Sequence, residues 1–169
     1  MNLLVERLRT LRVGDAMSGR VVEIADYKTM AEAAAILTAN EVSAAPIVDD
    51  QGRCVGIIST TDFVKCVATT NGRACGDGHQ CPPDWKMQTT PAYDERVSRY
   101  MTAAVQTVTV HTPLVAAARM MCAQHYHRLV VLDETHRPVG IISTMDIVAA
   151  LVHLADEVQA QQDREKQLR

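Results

Sequence analysis

Gly140-Ile141-Ile142-Ser143-Thr144-Met145-Asp146 occurs twice in this chain, the other copy being Gly56-Ile57-Ile58-Ser59-Thr60-Thr61-Asp62. Each copy follows a short apolar run and leads into a helical pattern, which puts its polar residues at a strand-to-helix corner. A helix start offers backbone N–H groups and a partial positive charge that suit an anion. A carboxylate three residues after a hydroxyl can accept hydrogen bonds from a vicinal diol such as a ribose, at about 1.5–3 kcal/mol per charged hydrogen bond. Ser, Thr and Asp are equally ordinary helix caps. For one copy alone, capping and binding both stand.

The repetition extends well beyond the corner. Sliding the chain by 84 residues aligns positions 13–67 with 97–151 without a gap, and about 16 of 55 positions are identical, among them Met17 with Met101 and Asp49 with Asp133. That is the mark of two copies of one unit. With only two copies, a pseudo-symmetric pair is expected rather than a solenoid. Each copy alone is too short for a comfortable core, so the two are expected to fold together.

Within the first copy, positions 21–24 read as a strand and Thr29 to Asn40 as an Ala-rich helix with Met30, Ala33 and Leu37 on one face. The stretch Ala45-Pro46-Ile47-Val48, the turn Asp49-Asp50-Gln51-Gly52 and the return Val55-Gly56-Ile57-Ile58 read as a hairpin. A second helix carries Phe63, Val64 and Val67. The second copy repeats this β-α-β-β-α order, with a strand over 105–110, a helix opened by Thr112-Pro113, and a hairpin whose turn, Asp133-Glu134-Thr135-His136, lacks the glycine of the first. Five segments follow: a helical lead-in over 1–12, repeat one over 13–67, an inter-repeat loop over 68–96, repeat two over 97–154, and a charged extension over 155–169 that reads as an exposed helix or a frayed tail.

Two β-α-β-β-α units that each end in G-I-I-S-T-x-D resemble a tandem pair of cystathionine-β-synthase (CBS) domains, a Bateman module. The entry Asp15-Ala16-Met17 and the strand end Pro46-Ile47-Val48-Asp49 support the likeness, and His127-Arg128-Leu129-Val130-Val131-Leu132-Asp133 is similar to a repeat of the kinase γ subunits in that family. The resemblance implies an α/β fold in which two CBS repeats pack with pseudo-twofold symmetry and leave clefts for adenosine ligands. It implies that Asp146 and Asp62 hold ribose hydroxyls and that Ser143 and Ser59 contact ribose or phosphate, with Thr144 and Thr60 beside them. It implies that His127 and Arg128 face phosphate and that Thr107 lies near the ligand. The first copy has Ser43, Ala44 and Glu23 where the second has His127, Arg128 and Thr107, so its site is expected to be poorer for phosphate.

The composition narrows the function. Net charge is −3 with no basic block and aromatics are 4%, which disfavours nucleic acid. No apolar run approaches membrane-spanning length. The first residues are amphipathic with an early acid, unlike a signal peptide, and five scattered cysteines suit a reducing compartment, so a cytoplasmic location is expected. Cys75, His79 and Cys81 offer soft ligands within seven residues, but a tetrahedral zinc site needs a fourth at standard spacing, so the expectation is no metal. No phosphate-cradling glycine loop, zinc-protease motif or nucleophile elbow occurs, and no catalysis is expected.

The reading is a regulatory module, without an obligatory cofactor, that binds AMP, ADP or ATP between its repeats and signals as a homodimer to a protein target. A structural dimerisation module with degenerate clefts is the alternative, and a metal- or redox-responsive module working through Cys75, His79 and Cys81 is a third. The low-charge helices around Met30–Leu37 and Leu114–Met121 are the expected dimer faces.

Overall fold

The computed structural model describes residues 3–74 and 91–167. In chain order the elements are α1 (Leu3–Thr10), α2 (Val13–Ala16), β1 (Ile24–Ala25), α3 (Met30–Ala39), β2 (Ala44–Val48), β3 (Cys54–Ser59) and α4 (Thr60–Ala74). Two short 3₁₀ turns follow, Pro91–Asp94 and Val97–Arg99, then β4 (Thr107–Val108), α5 (Leu114–Gln124), β5 (Arg128–Leu132), β6 (Pro138–Ser143) and α6 (Thr144–Gln167). The strands form two three-stranded sheets of orders β1-β2-β3 and β4-β5-β6, each with a parallel first pair and an antiparallel hairpin. The α/β character and the β-α-β-β-α order read from the sequence hold in both copies. The cysteines and histidine singled out at 75, 79 and 81 lie outside the described residues.

The compact units do not coincide with the sequence repeats. One unit is Met1–Val21 with Gln106–Arg169, and the other is Val22–Val105. The head of each repeat belongs to the unit built on the other copy. In the first-named unit, Val13 is fully buried in the core with Leu114, Leu129 and Ile142. Its N–H donates to Thr112 O at 2.9 Å, and Ser18 forms a bridge to Ile141 on β6. The Val22–Val105 unit is closed the same way, by residues 97–102. Val97 is fully buried among Ile24, Met30, Ile47 and Ile58, its N–H donates to Lys28 O at 2.8 Å, and Thr102 bridges to Ile57 on β3.

This exchange explains two of the repeated residues. Met17 lies over Gly140 and Met101 over Gly56, so close that a Cβ on either glycine would meet the methionine sulfur. A side chain there would overpack the contact. At Gly140 the carbonyl of Ser18 also stands 3.0 Å from where a Cβ would be, and backbone yields less readily than a thioether.

Local rules account for most element ends. Helix α3 opens on a reciprocal capping box, in which Glu32 N–H donates to Thr29 Oγ1 at 3.2 Å and Thr29 N–H to Glu32 Oε2 at 2.9 Å. The hydrogen bonds and charge of Lys28 and Thr29 hold the Glu32 carboxyl below its usual range. The apolar faces of α3 and α5 pack inward. Met30, Ala33 and Leu37 are buried, as are Leu114, Ala117 and Met121, while Ala35 and Ala116 on the same helices are exposed.

Three sequence readings shift, and a fourth, left open between helix and tail, is helix. The first strand lies at 24–25 rather than 21–24, and β4 spans only 107–108 of the expected 105–110, because each is an edge strand that pairs for two residues before leaving its neighbour. Thr109 N–H turns to Thr112 Oγ1 at 3.0 Å, which ends β4. Helix α4 runs to Ala74, into the stretch that reads as linker, and α6 carries the charged extension as helix to Gln167.

The two hairpin turns share one conformation despite different sequences. Asp49 Oδ1 accepts from Gln51 and Arg53 N–H, and Asp133 Oδ1 accepts from Thr135 and Arg137 N–H, which lowers both carboxyl pKa values. Gly52 takes φ 77°, and its counterpart His136 takes φ 63°. A non-glycine residue there carries a cost of about 1–2 kcal/mol. His136→Gly is therefore expected to stabilise the protein by about 1 kcal/mol, net of glycine's extra freedom in the unfolded chain. A urea midpoint that stays put or falls would refute this.

Candidate functional site

The corner at 143–146 forms because β6 runs into α6 without an intervening loop. Ser143 is the cap. Its N–H and Oγ both donate to Asp146 Oδ2 at 2.7 Å, and Asp146 N–H donates back to Ser143 Oγ at 3.2 Å. Thr144 N–H donates to His127 O at 3.1 Å. Three of the first four N–H groups of this helix start are thus engaged, and an anion has only Met145 N–H to approach among the described residues. The capping reading is realised, and it uses one carboxylate oxygen. Asp146 Oδ1 has no hydrogen-bond partner among the described residues, and the side chain is only half-buried.

The sheet brings further predicted residues to this corner. Arg128 faces Ser143 across the β5–β6 pair, and Thr107 faces Val130 across β4–β5. Strand alternation puts Thr107, Arg128 and Ser143 on one sheet face, while Leu129, Val131 and Ile142 point to the helices on the other. Thr107 and Arg128 are exposed, and so is His127, whose carbonyl anchors the helix start. One unit therefore gathers Thr107, His127, Arg128, Ser143, Thr144 and Asp146.

The corner at 59–62 belongs to the other unit and is more closed. Ser59 N–H and Oγ donate to Asp62 Oδ2 at 2.9 and 2.8 Å, and Thr60 N–H donates to Ser43 O at 3.1 Å. Asp62 is 5% exposed, and its second oxygen, Oδ1, lies 3.4 Å from Lys65 Nζ. The second copy has Ala149 at the place of Lys65. This lysine is a site difference that the sequence reading missed, and the signal was available as a helix neighbour three residues beyond the aspartate. Ser43 and Thr60 also border a pocket of about 360 Å³ lined by Leu37, Glu41, Val42 and Phe63.

Two sheets, each ending in a hydroxyl–carboxylate cap at a strand-to-helix corner, define a tandem-repeat α/β module. The chain belongs to the CBS domain family, whose model matches residues 13–69 and 97–153. It is similar to the chloroplastic CBS domain-containing protein CBSX2 of Arabidopsis thaliana, at 25% identity over 87% of this chain and 66% of that protein. It is also similar to the AMP-activated protein kinase γ-3 subunit of Sus scrofa, at 29% identity over 75% of this chain, and to a homoserine O-acetyltransferase of Methanococcoides burtonii, at 28% over 80%. The chain spans only 24% and 23% of those two proteins' lengths. Among solved structures, the CBS domain pair of protein MJ0100 in complex with 5′-methylthioadenosine and S-adenosyl-L-methionine matches with a TM-score of 0.67 and 25% identity, covering 85% of this chain and 98% of that one. CBSX2 in complex with AMP matches the fold with a TM-score of 0.67 at 23% identity, covering 85% and 98%.

Proposed function

We propose that this chain is a non-catalytic regulatory module that binds an adenosine nucleotide, AMP, ADP or ATP, at the Ser143–Asp146 corner and passes the binding state to a partner protein. The observation that carries this is the open Asp146 Oδ1, held in place by the cap made with Oδ2, with Arg128 one strand away on the same sheet face. A carboxylate fixed this way is pre-organised to accept from a ribose diol, and a guanidinium suits bidentate phosphate contact. Similarity to a CBS pair solved with methylthioadenosine and S-adenosylmethionine supports the adenosine class. Calorimetry with a millimolar panel of adenine nucleotides tests it, and heat from none of them sinks it.

A second reading, a structural dimerisation module, is favoured by the closed 59–62 corner and by an apolar stripe on α6. Met145, Val148 and Val152 are 70%, 49% and 56% exposed, and Ala155 continues the row. The intervals of three, four and three are the same in both directions, so an antiparallel second copy sets Met145 on Ala155 and Val148 on Val152. We propose this stripe as the homodimer surface in either reading. Light scattering is expected to give a dimer for the wild type and a monomer for Val148→Asp. A wild-type monomer at micromolar concentration overturns the dimer. No helix among the described residues is long and apolar enough to cross a membrane.

A further inference from the structure

The pocket beside the 59–62 corner carries a chemistry that the corner does not use. Its volume of about 360 Å³ falls within the range of small-molecule sites, about 300–1,000 Å³. Leu37, Val42 and Phe63 give it apolar walls, and Thr38 and Glu41 supply oxygen. Thr38 Oγ1 donates to Ala34 O at 2.8 Å, so toward a ligand that hydroxyl acts only as an acceptor. Among the described residues no lysine or arginine lines the pocket, and the Glu41 carboxylate takes no hydrogen bond or ion pair. Helix α3 ends here, at Asn40, and its last turn has no basic side chain, which leaves the negative end of the helix dipole uncompensated. The acid and the aromatic ring belong to the first copy alone. The 84-residue register puts His125 and Ile147 at the places of Glu41 and Phe63. The backbone is common, with φ 55° at Glu41 and 56° at His125, so the two copies differ here in side-chain chemistry.

We infer that this pocket binds a small organic cation, an ammonium carried on an apolar body. Three features select the positive charge: the Glu41 carboxylate, the carboxyl end of α3, and the Phe63 ring, whose face attracts an ammonium. An ammonium brings donors and no acceptor, which matches the acceptors that Thr38 and Glu41 supply. The apolar body displaces water from Leu37, Val42 and Phe63. The same charges disfavour a phosphate. The pocket belongs to the Val22–Val105 unit, so its ligand and a nucleotide at the Ser143–Asp146 corner are tested separately.

Phenethylamine, phenethyl alcohol and phenylpropionate share an apolar body and differ in charge. In calorimetry on the full-length protein at neutral pH, the amine is expected to bind about tenfold more tightly than the alcohol, and the carboxylate to give no heat. Glu41→Gln keeps the size of the side chain and is expected to cost the amine about fivefold while leaving the alcohol unchanged. Thr38→Trp, a change at an exposed position, fills the pocket and is expected to abolish binding of both while the cooperative melt persists. No heat from the amine at millimolar concentration overturns the inference, and so does equal affinity for amine and alcohol. An amine response that both variants leave intact overturns it as well. So does a response that weakens as protein concentration rises, which would assign the pocket to a second copy.

Discussion

AMP, ADP or ATP is expected to raise the melting temperature of the wild-type protein if the proposed site binds it, and replacing Asp146 by alanine is then expected to abolish that rise. A ligand that binds only the native state stabilises it by about 2.7 kcal/mol at a hundredfold excess over Kd. In the proposed site Asp146 would contribute to that affinity through Oδ1, the oxygen not committed to the Ser143 cap. Asp62→Ala is expected to leave most of the rise intact. Asp62 is nearly buried, its Oδ1 is already near Lys65, and Glu23 stands where the second copy has Thr107. Both substitutions remove a cap and should cost the ligand-free protein about 0.5–2 kcal/mol. The ligand-dependent difference separates binding from capping. Equal loss of the nucleotide response in the two variants, or a full response in Asp146→Ala, contradicts the assignment.

The second large effect concerns where the chain is cut. Two fragments of equal length, 13–96 and 22–105, each contain the strands and helices of the first copy. Only the second includes Val97 and Met101. Without them the core loses a fully buried valine, the methionine over Gly56 and the backbone bonds of Val97 to Lys28 and of Thr102 to Ile57. Fragment 22–105 is expected to melt cooperatively, and 13–96 to lack a transition. Burial of such side chains is worth about 1.5–3 kcal/mol each, comparable with the whole margin of a small unit. A cooperative melt of 13–96 would show that the exchanged head is dispensable.

The fold was legible because a repeated corner is hard to produce by chance, and because the hairpins carry alternating apolar runs between turn residues. The length of β1 and β4 was not legible. Edge-strand pairing depends on how long a neighbour stays alongside, and residues 21–24 read as well as 24–25. The glycine-free turn was open in the sequence, and His136 closes it in the left-handed region because Asp133 binds the turn's N–H groups. At the site, the residue types at 143–146 were readable, and so was their proximity to Arg128 through the hairpin. What a linear pattern does not carry is which carboxylate oxygen the cap takes, or that Lys65 reaches Asp62. Nor does an 84-residue period say on which copy a repeat's head will pack, since the period is the same for both choices.

The exchanged heads also set a schedule for synthesis. The first 21 residues have no partner until Gln106 and its followers leave the ribosome, roughly 85 residues and on the order of ten seconds later at ordinary elongation rates. The inner unit, by contrast, is complete once Val105 emerges. The nascent chain therefore finishes its middle first and carries Leu3, Leu4, Leu8 and Val13 as waiting apolar surface. A newly made chain is most exposed to chaperones or to neighbouring copies in that interval, and the amino-terminal residues are what they would meet.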